Sequence, residues 1–371
     1  LGIVVSGGPA PGINSVISSV VIEAHNQGFS CCGLLGGFEA ITYNSGKAFI
    51  PLKIEDVSRI ANLGGSILGT SRFNPIANDE SKKLFQQALS QEKIAALIVV
   101  GGEGSAYLSH QINKSNLGIR VVHVPKTIDN DLILPHEYPS FGFETARYVG
   151  TNILRTLSAE SKTSQRWFIV NTMGRNAGFL ALGMGLAAGA TLTLIPEEFK
   201  KDTKLEDVCS VIQQSIEKRV QSGKNYGLAV IAEGIIDKLD SSDIPQLRDC
   251  TRDKLGRIQH SEIRLEDLVA SRIRSWASHS KQKLHVTAEN IGYELRCHDP
   301  VAFDLEYTKM LGFGAVKFIA EGKSGVMVVR DYDRITYRNL EDLCGPDGKI
   351  NSRTVNLSSD FYMVARSYMI R

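Results

Sequence analysis

The sequence predicts an α/β protein built on mainly parallel sheets, and three observations carry that prediction. Its strand-like runs are apolar throughout rather than alternating, as in "GIVV", "AALIVV" and "GLAVIA", which marks strands covered on both faces. Segments of helical texture separate those runs. Each run also ends in glycine or charge: "SGGPAPG", "GGEGS", "PKTIDND", "NTMGRNAG" and "AEG". Parallel sheets bind ligands beyond the carboxyl ends of their strands, so five such ends on one rim predict a binding site there.

Taken in order, "GIVVSGG" reads as a strand and a glycine turn, followed by a helix over Ile13 to His25. The design repeats with a strand from Ala95 to Val100, the turn "GGEGS", and a helix from about Ala106. "RVVHVPKTID" is the third strand, "RWFIVNT" the fourth and "GLAVIAEG" the fifth. From about Asp237 to Asn290 the texture turns polar and turn-rich, which reads as an insertion. Within it "IRLEDLVASRIRSWASHSK" has the pattern of an amphipathic helix. "DLEYTKMLGFGAVKFIAEG" reads as helical, and "GVMVVRDYDRITYRNL" as strands.

A chain of 371 residues is long for one core and predicts two or more subdomains. Its 43% apolar and 22% charged residues are those of a globular protein. With 42 basic residues against 40 acidic ones, the charge balance points to neither nucleic acid nor membrane. No apolar run is long enough to cross a bilayer. The chain opens on "LGIVVSGG" without methionine, so further residues upstream are expected, and a targeting segment stays open. Six cysteines, at 31, 32, 209, 250, 297 and 344, form no C-x-x-C pair, which predicts reduced thiols and a cytoplasmic setting. The eight histidines show no zinc-ligand spacing.

"SGGPAPGIN" puts bare backbone N–H groups at a helix start, which suits phosphate, although a plain strand-to-helix turn would look the same. It lacks G-x-G-x-x-G, which disfavours a nicotinamide enzyme. "GGEGS" is a second such loop, and its Glu103 can hold a magnesium ion through oxygen. Two glycine loops fit phosphoryl transfer, where positioning and charge neutralisation do most of the work. "PKTIDND" adds what the reaction lacks: Asp129 as a base for an attacking hydroxyl, Asp131 as a second carboxylate, and Lys126 as a cation. The structural alternative is a capped loop in which Asp129 and Asn130 only satisfy backbone donors.

Together, "SGGPAPGIN", "GGSILGTSRF", "GGEGS", "PKTIDND", "TSQRWF", "MGRNAG", "IAEG" and "GYELRCHDP" resemble, in that order, the phosphofructokinases, both ATP-dependent and pyrophosphate-dependent. The resemblance covers most of residues 1 to 320. It implies two three-layer Rossmann-like domains with an active site in the cleft between them. The larger would hold 1–142 plus about 291–345 on the phosphoryl-donor side. The smaller would hold 143–290 on the sugar-phosphate side, with about 346–371 as a C-terminal extension. The implied reaction is transfer to the 1-hydroxyl of fructose 6-phosphate with Mg²⁺ as cofactor. Asp129 then looks like the base and Asp131 its metal-linked partner, with Thr127 near the reacting hydroxyl. Gly7, Gly8, Arg72, Phe73, Gly102, Glu103, Gly104 and Ser105 would serve the donor, with Glu103 on the metal. Met173, Gly174 and Arg175 would position the sugar phosphate and the transferring group. Glu233 would meet a sugar hydroxyl, and Arg296 would grip the 6-phosphate as a planar donor. Arg166 resembles a 6-phosphate arginine that reaches a neighbouring subunit, implying a homodimer or homotetramer.

Several positions depart from common members. Glu103 stands where bacterial ATP enzymes have Asp, Tyr293 where many have a substrate-binding His, and Thr287 where many carry another arginine. For the donor, Gly104 leaves space and resembles ATP users, as do Arg72 and Phe73. Lys126 resembles pyrophosphate users, in which a lysine offsets the charge of a donor that brings no adenosine binding energy. Pro9 and the "GYELRC" segment lie on the same side, and the balance favours pyrophosphate, with ATP as the alternative. An inactive regulatory homologue is disfavoured by intact Thr127, Asp129, Asp131 and Arg175. A lipid or dinucleotide kinase sharing "GGEGS" is disfavoured by "PKTIDND" and "MGR" in this order.

Overall fold

The computed structural model describes residues 1–43, 48–242, 244, 247, 260, 263–279, 283–345 and 348–371. Cys250 and much of the polar stretch after residue 242 lie outside the described residues. In chain order the strands are β1 (Gly2–Val5), β2 (Cys31–Leu34), β3 (Phe49–Leu52), β4 (Ala96–Gly101), β5 (Arg120–Thr127), β6 (Phe141–Gly142), β7 (Trp167–Thr172), β8 (Leu192–Leu194), β9 (Gly227–Ala232), β10 (Val286–Ile291), β11 (Val326–Asp331) and β12 (Arg334–Asn339). The chain divides into two compact units: Leu1–Ala146 with Glu294–Arg353, and Arg147–Tyr293 with Thr354–Arg371.

The first unit holds a sheet in the order β12-β11-β5-β4-β1-β2-β3, with β6 paired to β5. Its ladders are parallel except for β2–β3 and β11–β12. Successive strand residues point to opposite faces, and here both faces are covered. Ile3, Val5, Ile98, Val100, Val122 and Val124 pack with Ile13, Ile17, Tyr307 and Leu311 from the helices Ile13–Asn26 and Ala302–Ala320. Val4, Leu97, Val99 and Val121 pack on the other side with Phe38, Phe85, Leu108 and Ile112. Two buried faces are the reason these strands read as unbroken apolar runs.

The second unit holds the parallel sheet β10-β7-β9-β8. Trp167, Ile169, Ala229 and Ile231 share a core with Val208 and Ile212 of the helix Leu205–Gln221 and with Val269 and Ile273 of the helix Leu265–His279. The last helix and β10 both fall inside the stretch that reads as an insertion. They are instead parts of this unit's core and sheet.

The helix after β4 spans Glu103–Lys114, so it starts three residues before the sequence expectation and puts Glu103 in its first turn. The helix after β1 begins at Ile13 as expected, behind Gly12 at φ 103°. A Cβ at Gly12 would sit 2.8 Å from the Thr308 methyl carbon, so glycine is required there by both conformation and space. The strands β2, β3, β6, β8 and β10 carry too few consecutive apolar residues to stand out in the sequence. β2, β6, β8 and β10 form against the strongly patterned β1, β5, β9 and β7, and β3 then adds antiparallel to β2.

Candidate active site

In the first unit three motifs meet because β5, β4 and β1 are consecutive in the sheet. Ser6 N donates to the Val100 carbonyl (2.9 Å), and Thr70 Oγ1 to the Gly7 carbonyl (2.7 Å). Together these bonds fix the first glycine turn. Lys126, the next-to-last residue of β5, is buried and donates through Nζ to the Gly8 carbonyl. A Cβ on Gly7 would meet Lys126 Nζ at 3.7 Å and Ser105 Oγ at 3.6 Å. One on Gly8 would lie 3.7 Å from the Arg296 guanidinium carbon and 3.8 Å from Arg72 Nη2. Arg296, carried by the short helix Tyr293–Arg296, therefore stands beside the donor-side residues.

Burial pushes the Lys126 ammonium down to about 8; Asp129 and Asp131 oppose the fall, and Arg296 and Arg72 add to it. Arg72 and Arg296 thus act as like charges on Lys126, while Asp129 and Asp131 favour its ammonium form. Gly7 N donates to the Ser71 carbonyl (2.9 Å), so in this turn the cationic side chains, more than the Gly7 amide, suit the site to phosphate.

The second glycine loop is held from beneath by His123. Burial drives this imidazole down to about 3, so it is neutral; its Nε2 donates to the Gly101 carbonyl (3.0 Å) and its Nδ1 faces Ser109 Oγ (3.1 Å). Gly102 precedes the helix, and Glu103 and Ser105 lie in its first turn, Ser105 buried. A Cβ on Gly104 would meet nothing within 4 Å, so the space expected there is present. Phe73, placed on the donor side by sequence, packs against the core cluster of Phe85 and Ile112.

The "TIDND" turn follows β5. Asp129 N donates to Thr127 Oγ1 (3.0 Å), which turns Asp129 out of the strand line. Thr127, Asn130 and Asp131 are buried, whereas Asp129 is half-exposed. Asn130 adopts φ 57°, and its Oδ1 accepts from Ser140 N (3.0 Å). The structural reading of that pair therefore holds for Asn130, which caps the turn.

In the second unit, Met173–Arg175 follow β7, Glu233 follows β9, and Gly292–Tyr293 follow β10, again consecutive strands. Arg175 adopts φ 49°. Glu233 Oε1 holds this turn by accepting from Arg175 N (3.0 Å) and Gly174 N (3.4 Å). Met173 is buried and would touch a Cβ on Gly292 at 3.0 Å, so Gly292 is the space into which Met173 packs. Tyr293 is 65% exposed.

Sequence reasoning missed His260. Its Nε2 lies 2.9 Å from Asp237 Oδ2 and its Nδ1 3.8 Å from Glu233 Oε1. Burial disfavours the His260 cation, but hydrogen bonds to Asp237 and Glu233 outweigh it and raise the group to about 9. Glu233 is held below its ordinary value: burial works the other way, and the bonds from His260 and the turn amides prevail. No motif surrounds His260 in the sequence, so nothing local could have found it.

Arg166 is not brought to this cluster. It precedes β7, whereas Met173 follows it, so six strand residues, roughly 20 Å, separate them. Arg166 Nη1 instead approaches Thr287 Oγ1 (3.5 Å) near the start of β10. Among the described residues no group of three or more His, Cys, Asp or Glu side chains is placed to hold a metal. The described cysteines Cys31, Cys32, Cys209, Cys297 and Cys344 are free thiols. No helix of the described residues is long and apolar enough to cross a membrane.

Comparison with known proteins agrees with this geometry. A family model described as phosphofructokinase matches residues 1–319. The chain is 44% identical to a pyrophosphate–fructose 6-phosphate 1-phosphotransferase of Thermotoga maritima over 100% of this chain and 90% of that protein. It is 41% identical to the protein of the same name from Naegleria fowleri, over 100% and 88%. Its fold matches the crystal structure of a pyrophosphate-dependent phosphofructokinase from Marinobacter aquaeolei with a TM-score of 0.72. That match has 19% identity and covers 99% of this chain and 90% of that one. Glycine turns, a cationic cluster and the "TIDND" turn on consecutive parallel strands, with a family match over most of the length, lead to one conclusion: the chain belongs to the phosphofructokinase family.

Proposed function

We propose that the protein transfers a phosphoryl group from pyrophosphate to the 1-hydroxyl of fructose 6-phosphate, giving fructose 1,6-bisphosphate. The observation that carries the donor choice is Lys126, buried at the Gly8 carbonyl and flanked by Arg72 and Arg296. A compact cluster of three cations suits a small, highly charged donor with no base or ribose to bind. The relatives at 41–44% identity carry the matching name. Asp129, half-exposed and oriented by the Thr127 hydroxyl, takes the proton of the attacking sugar hydroxyl. Asp131 supports it electrostatically. Arg175 and Met173 position the sugar phosphate, and Glu233 and Tyr293 contact it. Arg296, which the resemblance assigns to the 6-phosphate, lies beside Gly8 and joins Lys126 in neutralising charge on the transferring group.

Mg²⁺ fits the donor set. It commonly takes one or two carboxylates and completes its shell with water and substrate phosphate oxygens, so it needs no three-residue cluster. Glu103, in the first turn of the helix Glu103–Lys114, would hold it with substrate phosphate oxygens and water, and it would shield the charge of the phosphates. Arg166, at the far end of β7 from Met173, serves the 6-phosphate of a neighbouring subunit's site, which makes the working form a homodimer or homotetramer in the cytoplasm.

Gly104 favours a second reading, ATP as donor, because the open space at its α-carbon leaves room for a nucleotide. One assay separates the two: fructose 6-phosphate and Mg²⁺ with ATP or pyrophosphate in parallel. Faster turnover with pyrophosphate is expected, and faster turnover with ATP overturns the choice.

A further inference from the structure

The turn that carries Asp129 is held by a residue well beyond the family match, which ends at residue 319. Arg353 Nε donates to the Asn130 carbonyl (2.8 Å), and its Nη2 to Asn130 Oδ1 (2.5 Å) and the Tyr138 carbonyl (3.3 Å). The Arg353 backbone N–H donates to the Asp131 carbonyl (2.8 Å), and Ser352 forms an antiparallel bridge with Leu132. Asn130 lies between the two carboxylates in the left-handed region, at φ 57°, which non-glycine residues seldom adopt without support.

The planar guanidinium presents its Nε and Nη2 donors in a fixed fork that meets the carbonyl oxygen and the amide oxygen of Asn130 at once. Ser140 completes the enclosure, donating from its N–H to Asn130 Oδ1 and from its hydroxyl to the Thr127 carbonyl (2.8 Å). With the carbonyls of residues 127, 130 and 131 all engaged, the direction of the Asp129 side chain is set by the turn. Arg353 is partly desolvated, which lowers its pKa, while Glu137 and Asp131 favour its charge.

We propose that Arg353 is a positioning residue for phosphoryl transfer: it locks Asn130 in the left-handed conformation and so aims Asp129 at the sugar hydroxyl. This rests on Asp129 being the base. A displacement of about 1 Å at such a group can cost on the order of a hundredfold in rate, without removing any contact to the substrate.

The test compares steady-state kinetics of Arg353→Ala, Arg353→Lys and Asp129→Ala in the full chain, with near-ultraviolet circular dichroism to confirm folding. In Arg353→Ala, kcat is expected to fall roughly a hundredfold, while KM for both substrates stays within about threefold. Guanidinium at millimolar concentration restores part of that loss, and has no such effect on Asp129→Ala. Arg353→Lys stays at least about tenfold down, because an ammonium cannot reproduce the fork, and it serves alone if the alanine variant does not fold. Wild-type kcat in Arg353→Ala, or full recovery in Arg353→Lys, overturns the inference. Near-normal kcat in Asp129→Ala would instead sink the reading of Asp129 as base, whatever Arg353 does.

Discussion

A lysine at the end of a buried strand keeps its charge only while something nearby favours the ammonium. For Lys126 the Gly8 carbonyl and Asp129 do so, yet burial with Arg296 and Arg72 still brings it down to about 8. Its charge is therefore present below about pH 8 and lost above it. KM for pyrophosphate is expected to climb as pH passes about 8, and Lys126→Met should raise KM at neutral pH and flatten that climb. A climb of equal size in the variant would show that Lys126 does not face the donor. At Asp129 the expectation is different: Asp129→Ala should lower kcat roughly a thousandfold or more with little change in fructose 6-phosphate KM. Residue types and their order around "TIDND" were legible in the sequence. The partners of Asn130 and Glu233 were not, because they come from residues 353, 140 and 260, distant along the chain or in segments without a motif.

At the scale of elements, the strand ends act together because each glycine turn is anchored by a neighbouring element. The helix Phe143–Ser164 shows how strongly such anchors can bind. Near its start, Gly142 N (2.9 Å), Thr145 N (2.8 Å) and Thr145 Oγ1 (2.5 Å) all donate to the fully buried Asp304 carboxyl. Removing that acceptor strands three buried donors, so Asp304→Ala should cost about 3 kcal/mol or more. Urea denaturation followed by tryptophan fluorescence measures this, and a loss under about 1 kcal/mol would contradict it. Long elements with both faces buried, such as β4 and β5, could be read from pattern alone. The start of the helix Glu103–Lys114 could not: "GGEG" lacks helical periodicity, and packing on β4 and β5 extends the helix back to Glu103.

Across the whole molecule, pH acts on the second unit through the pair His260 and Glu233. The His260 pKa is raised from 6.5 to about 9, so its stabilisation is complete below about pH 6.5 and lost as pH rises through about 9. Glu233 is lowered, so its share is present above its ordinary value near 4.5 and lost as pH falls through the folded one. Thermal unfolding from pH 6 to 10 should show the wild type losing stability relative to His260→Gln towards the alkaline end. A constant difference between the two would remove the ion pair as the cause.

By itself the sequence determined the parallel α/β class, the family and the residue types of the site. These follow from apolar runs and short motifs whose residues are neighbours along the chain. Tertiary structure decided which distant residues hold those motifs in shape. It set Arg353 on Asn130, His260 on Glu233 and His123 under Gly101, and it brought Arg166 to Thr287. The reason is physical: a lone arginine or histidine has no periodicity to betray its partner, and a carbonyl or carboxylate finds its donor only once the strands are packed.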